Sequence, residues 1–269
     1  MKVANKVVVV TGAGSGMGRE LALALLRKGA RVAAVDLNEA TLKETIALAG
    51  QSGDKISSHV VNVSDRQAVE ALPSAVIAAH GAVDGIINNA GIIQPFVRLN
   101  DLQYDAIERV INVNLYGVIY MSKAFLPYLL ARPAAHIANI SSMGGFFPVP
   151  GQTVYGASKA GVKLLTEGLY AELLETNVRV TIVFPGAIAT NITQNSGVAI
   201  ERPTTDDAAQ SFPMTSAEDA AEMIIDGMER DRFQVYVGRD AKMMNLFYRF
   251  SPKRATQFMY SRMKELLGD

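Results

Sequence analysis

Seven short apolar runs rich in β-branched residues recur along the chain. They are "KVVVVTG" (6–12), "RVAAVDL" (31–37), "KISSHVVNV" (55–63), "AVDGIINNAG" (82–91), "AHIANISS" (135–142), "VRVTIVFPG" (178–186) and "RFQVYVG" (232–238). Continuous apolar character, rather than strict alternation, marks strands covered on both faces. Between the runs, apolar positions return every three or four residues, which predicts helices over 16–29, 39–49, 65–80, 101–130, 153–176 and 217–230. Strand and helix in alternation predict an α/β fold with a doubly wound, parallel, seven-stranded sheet and helices on both faces. Two segments leave this rhythm. Residues 187–215 are irregular, and 240–269 follow the last strand with a helical pattern, a C-terminal helical extension. There is no linker, low-complexity run or repeat at fixed period, so the expectation is one domain over 1–269.

The first strand runs into "TGAGSGMG" (11–18). Gly12, Gly16 and Gly18 permit a tight turn, close approach of backbone to a pyrophosphate, and close packing of helix on strand. The free N–H groups at the start of the next helix would face the anion. Strand before and helix after make this the context of a Rossmann-type dinucleotide loop. Asp36 ends the second strand, eighteen positions beyond Gly18. Its carboxylate would accept from an adenosine ribose and repel a 2′-phosphate; Leu37 and Asn38 offer no cation for one. NAD is therefore expected over NADP. Asp36 as cap of the following helix is the competing reading. Arg19, past the third glycine, is expected to face solvent.

Composition removes other classes. The 269 residues carry 26 Lys plus Arg and 26 Asp plus Glu, so no global charge attracts nucleic acid. Cysteine is absent, which excludes disulfides, thiolate metal sites and cysteine nucleophiles, and fits a reducing cytoplasm. His59, His80 and His136 are scattered and unpaired, which argues against a metal site or a Ser-His-Asp triad. No signal-peptide core precedes the first strand, and no window reaches the ~18 apolar residues of a membrane span.

One further stretch, "TVYGASKAG" (153–161), places Tyr155 four residues before Lys159, on one helical face. A cation beside a phenol favours the phenolate. Alone, such a pair is common. Here it accompanies "TGAGSGMG" (11–18), "NNAG" (88–91), "NVNLYG" (112–117), "ISS" (140–142) and "PGAIAT" (185–190). Six motifs in this order resemble the short-chain dehydrogenase/reductase family, in its branch of about this length, over residues 6–238. The resemblance implies a catalytic tetrad of Ser142, Tyr155, Lys159 and Asn114. It implies dinucleotide contacts from Gly12, Ser15, Gly16, Met17 and Gly18, from Asp36 and Leu37, and from Asn89, Ala90 and Gly91. Pro185, Gly186, Ile188 and Thr190 would hold the nicotinamide end, beside Tyr155 and Lys159. The family often has Asp-Val after the third strand; this chain has Asn62 and Val63, whose amide oxygen still accepts a hydrogen bond.

The function so implied is NAD(H)-dependent hydride transfer between nicotinamide and a secondary alcohol or ketone. Tyr155 would be the general acid/base, Lys159 would lower its pKa, Ser142 would donate to the substrate oxygen, and Asn114 would hold a relay water. An NADPH-dependent carbonyl reductase and a non-catalytic dinucleotide-binding regulator are the alternatives. Around the substrate the resemblance places Ile92, Ile93 and Gln94, the strip with Met143, Gly144, Phe146, Phe147 and Val149, and the loop 187–215 with Arg202. Its apolar character implies a lipophilic substrate. The same side chains packing their loop onto the core is the competing reading. The tail from 239 to 269 has seven Lys or Arg against three Asp or Glu, with apolar residues from Met243 to Leu267 at helical spacing. Such a helix covers the substrate mouth or a neighbouring subunit, or lies peripherally on a membrane. Related enzymes pair their long helices, so a homodimer or homotetramer is expected.

Overall fold

Val7 to Val10 form four consecutive β-branched residues, stiff at χ1 and suited to a pleated, buried strand. In the computed structural model, which describes residues 1–198 and 214–264, they make β1 (Val7–Thr11), an interior strand of a parallel sheet. Val8 and Val10 face one apolar layer with Leu21, Leu25 and Ile224. Val7 and Val9 face the other, with Phe125, Leu129 and Ile137. Two buried layers explain why the strand reads as continuous apolar sequence.

Around β1 stand β2 (Arg31–Asp36), β3 (Ile56–Val60), β4 (Gly85–Asn88), β5 (Ala135–Ile140) and β6 (Val178–Pro185). A short parallel pair, β7 (Ile188–Ala189) and β8 (Thr215–Ser216), lies apart, and β9 (Gln234–Val237) closes the main sheet. The seven-stranded order is β3-β2-β1-β4-β5-β6-β9, all parallel, as expected. The helices are α1 (Gly16–Arg27), α2 (Glu39–Leu48), α3 (Arg66–His80), α4 (Tyr104–Ile111), α5 (Gly117–Leu130), α6 (Thr153–Glu172), the short α7 (Ile192–Asn195) and α8 (Ala217–Glu229). The C-terminal extension is α9 (Arg239–Phe250) and α10 (Pro252–Met263), broken at Ser251–Pro252. Proline fits the first turn of a helix but not the interior of the one before it.

The helix expected over 101–130 is not continuous. It begins at Tyr104 and widens into a π turn at Asn112–Tyr116 before resuming at Gly117. A π turn inserts a residue and re-aims the side chains after it, a change that apolar spacing does not reveal.

The histidines also differ from expectation. Ser57 Oγ lies 2.8 Å from His59 Nε2 and 2.7 Å from His80 Nε2, so β3 and the end of α3 bring two of the three together. His136 is buried under the sheet. Thr181 Oγ1 donates to the Arg232 carbonyl at 2.7 Å, so His136 Nε2, 2.8 Å from that hydroxyl oxygen, is the donor between them. Burial, then the Met1 ammonium, push the His136 pKa down to about 3, with Asp231 opposing.

The unfolded chain binds a proton at His136 below pH ~6.5 while the folded one does not. This part of the stability is complete above that pH and is lost as pH falls toward the folded value. The unfolding free energy from urea titrations is expected to drop between pH 7.5 and 5, by about 2 kcal/mol from His136. His136→Gln keeps a donor for Thr181 and should flatten the profile. His59 and His80, also lowered chiefly by burial, keep some slope. An unchanged profile in the variant would refute the assignment.

Candidate active site

The chain lays β2 and β3 on one side of β1 and β4 onward on the other. Between β1 and β4, loops at the carboxyl ends of the strands diverge and leave a crevice, the usual ligand position in such sheets. Here it is a cleft of about 630 Å³.

Every residue that the resemblance assigns to a dinucleotide lies along this cleft. Gly12, Ser15, Gly16, Met17 and Gly18 form one wall, with Asp36, Leu37, Asn62 and Val63 at one end. Asn89, Ala90 and Gly91 line the middle, and Pro185, Gly186, Ile188 and Thr190 lie with Tyr155 and Lys159 at the other end. No side chain caps the first turn of α1, so its leading N–H groups remain available to a ligand. A Cβ on Gly18 would stand 2.0 Å from the Gly12 carbonyl oxygen, so only glycine fits between turn and helix.

Asp36 is not the cap of α2. Asn38 is, accepting from Ala40 N and Thr41 N at 3.0 and 3.3 Å. Asp36 accepts instead from Gly14 N (2.9 Å) and Asn38 N (3.0 Å), fixed at the cleft edge. Arg19 does not face solvent as expected. It folds over α2, donating to the Gly14 carbonyl, Thr45 Oγ1 and Glu44 Oε2.

The tetrad divides. Tyr155, Ser142 and Lys159 line the cleft together, the Ser142 hydroxyl beside the Tyr155 phenol. Ser142 also caps the turn after β5, accepting from Gly144 N at 3.0 Å. Its neighbour Ser141 turns away and donates to the Lys159 carbonyl. Burial pushes the Tyr155 phenol above its ordinary pKa, and the neighbouring Ser142 hydroxyl pulls against that. Lys159 donates to the Ile140 carbonyl at 3.0 Å, and burial lowers its pKa to about 8.

Asn114, carried by the π turn, stands behind the cleft wall. Its Oδ1 accepts from Ile92 N (2.8 Å), and its Nδ2 donates to the Ile92 carbonyl (2.9 Å) and Ser158 Oγ (3.1 Å). Gly91 gauges the gap in front of it: a Cβ there would lie 3.1 Å from Lys159 Nζ and 3.3 Å from Asn114 Oδ1.

The residues expected on the substrate side do not all stand on the described cleft wall. Phe147 is fully buried among Met244, Ala255 and Met259, where it packs the C-terminal helices onto the body. Phe146 meets Phe184 edge-to-face, with centroids 5.4 Å apart, and belongs to the same kind of packing. Met143, Gly144 and Val149 are off the described cleft wall, whereas Ile92, Ile93 and Ile192 are on it. Arg202 lies outside the described residues.

Gln94 is also not a lining residue. Buried, it accepts at Oε1 from Val154 N (2.8 Å) and Tyr155 N (3.0 Å), and donates from Nε2 to the Gly151 carbonyl (3.0 Å). It satisfies the first turn of the helix that carries Tyr155. Gln94→Ala leaves those amides unpaired, at an expected cost of about 1–3 kcal/mol. A melting temperature lower by about 2–4 °C per kcal/mol should show it. A melt unchanged from the parent would show that the cap contributes nothing.

Two residues with structural roles at the site escaped the sequence reading. Thr11 Oγ1 accepts from Asn89 N (2.9 Å) and Ala90 N (3.0 Å), joining the first and fourth strand ends; the T-G of the first motif was its only signal. Asp240, buried at the start of α9, accepts from Ala187 N at 2.7 Å and so holds the bend after Pro185. A Cβ on Gly186 would lie 2.2 Å from its Oδ2, and one on Gly238 2.3 Å from its Oδ1.

The family model for short chain dehydrogenases matches residues 6–200. A Mycobacterium tuberculosis protein named as an oxidoreductase, SadH, is 39% identical over 250 residues, 91% of this chain and 90% of that protein. The crystal structure of a short chain dehydrogenase/reductase from Burkholderia phymatum in complex with NAD superposes with a TM-score of 0.80 at 28% identity, covering 88% of this chain and 90% of that one. A metagenomic short-chain oxidoreductase in complex with NADP gives 0.73 at 28% identity, covering 88% and 99%. With the six motifs gathered at the sheet's switch point, these likenesses place the chain in the short-chain dehydrogenase/reductase family of oxidoreductases.

Proposed function

We propose that the protein transfers a hydride between NAD(H) and a lipophilic secondary alcohol or ketone, with Tyr155 as general acid/base. The observation that carries this reading is the meeting of Tyr155, Ser142 and Lys159 at one end of a cleft whose other end presents the Asp36 carboxylate. A dinucleotide fits the residues present: uncapped N–H groups on α1, a glycine turn without room for a Cβ, and a ribose acceptor in Asp36. Bound there, the nicotinamide accepts or supplies the hydride.

The chain's own residues handle the proton. Tyr155 Oη takes it from the substrate hydroxyl, or returns it to the carbonyl in reduction. Ser142 Oγ, beside that phenol, donates to the substrate oxygen as charge develops on it. Burial raises Tyr155, so work near neutral pH requires a cation. Lys159, with a pKa of about 8, is mostly charged at pH 7 and supplies one from the same helical face. The Lys159 ammonium and the second lone pair of Asn114 Oδ1 share the gap beside Gly91, which supports a proton path between them. Ile92, Ile93 and Ile192 give this end its apolar wall.

Asp36 and the committed Arg19 support NAD over NADP. The carboxylate opposes a 2′-phosphate, and the guanidinium is already engaged by Gly14, Thr45 and Glu44. Titration is expected to show tighter binding of NADH than NADPH. Asp36→Ala should narrow the gap by about tenfold or more, since like-charge juxtaposition costs several kcal/mol. Tighter binding of NADPH by the parent protein would overturn the cofactor assignment and favour a carbonyl reductase. Exposed Leu164 on α6 supports pairing of this helix with a second copy.

A further inference from the structure

Helix α9 has two apolar faces. One, with Ala241 and Met244, packs inward toward Phe147 and α10. The other looks outward: Met243, Leu246 and Phe250 are 50%, 58% and 82% exposed. Each residue turns a helix by about 100°, so this spacing of three and four stacks the three side chains in one row, well away from the buried side. Singly exposed apolar residues are ordinary; a row of large ones is not.

The exposed charge on α9 and α10 has one sign among the described residues. Arg239, Lys242 and Arg249 on α9 and Lys253, Arg254 and Arg262 on α10 are all exposed. By the helical turn, Arg239 stands in line with the row, and Lys242 and Arg249 run along its side. Among the described residues of the two helices the only carboxylate is Asp240, which is buried and bonded to Ala187 N.

We propose that this α9–α10 face docks peripherally on an anionic lipid bilayer. Headgroups supply the negative charge that the face lacks, and the interfacial zone accepts an apolar helix row to a depth of about 5–10 Å. A two-fold contact with a second copy would instead bring this patch onto itself, cations against the same cations with no exposed carboxylate between them. No described helix is long and apolar enough to cross a membrane, so the contact is interfacial.

The test is flotation of the full chain with phosphatidylcholine vesicles, with and without about a third phosphatidylserine, at low and high salt. The protein should float with the anionic vesicles at low salt, and not with the zwitterionic ones. Binding should weaken at least ~tenfold in Leu246→Ser/Phe250→Ser and in Arg249→Glu/Lys253→Glu. These side chains are exposed, so the variants should keep the parent's melting temperature, which is measured alongside. Absence of flotation at low salt overturns the proposal. So does binding that survives in both variants, which would lie elsewhere on the molecule. If Leu246→Ser/Phe250→Ser leaves vesicles aside but splits an oligomer in sedimentation velocity, the face belongs to a second copy and the proposal is wrong.

Discussion

Tyr155→Phe is expected to cut turnover of the alcohol by about 10²–10⁴-fold while dinucleotide binding stays within a few-fold. The change removes one oxygen from a side chain whose ring remains in place. Nothing in the glycine loop, at Asp36 or in the sheet responds to it. Among the described residues lining that end of the cleft, the phenol is the only titrating acid besides Lys159, whose ammonium donates to the Ile140 carbonyl. Ser142→Ala should also be slow, and should remove the hydroxyl that pulls the Tyr155 pKa down. The acid limb of the pH–rate profile for alcohol oxidation would then move to higher pH. Turnover by Tyr155→Phe within a few-fold of the parent would remove Tyr155 from its role without touching the fold or the family.

Gly18→Ala should be the most damaging single methyl group in the cleft. Its Cβ would stand 2.0 Å from the Gly12 carbonyl and 2.6 Å from Asn89 Nδ2, which itself donates to the Thr11 carbonyl at 2.9 Å. The Gly12 carbonyl is backbone and not the far end of a flexible side chain, so the turn must open. Over-packing of this kind costs about 1–3 kcal/mol, occasionally more. The same opening displaces the N–H groups of α1 from their common aim, so dinucleotide affinity should fall more steeply than stability. Isothermal titration and urea unfolding on one preparation would separate the two effects. An alanine variant that binds the dinucleotide as the parent does would show that the turn is not the cradle.

The sheet was readable from the chain because its cause is local. Seven apolar runs must be buried on two sides, and the helices between them set parallel order. The cleft was readable because backbone does much of the work there, and glycines and motif spacing report backbone. What stayed hidden depends on contacts between distant segments. Gln94 reads as a polar residue near the substrate, yet three hydrogen bonds across some sixty residues of chain make it the cap of α6. Phe146 and Phe147 carry the composition of a lipophilic wall, and only the placement of α9 and α10 shows that the core takes them instead. Arg19 is charged and near the surface in sequence terms, but its donors find acceptors on α2. His59 and His80 meet because β3 runs beside the end of α3. The π turn that carries Asn114 leaves no trace in an apolar pattern read at helical period.

The carboxylate of Asp240 sits where side chains on Gly186 and Gly238 would otherwise stand. These three positions therefore behave as one heritable unit. A chimera that takes its tail from a relative lacking the aspartate would orphan the amide of Ala187. One that brings the aspartate onto a partner with alanine at either glycine would have no space for it. Grafting of C-terminal segments within this fold should succeed when the crossover falls before Pro185, and fail when it falls between the bend and α9.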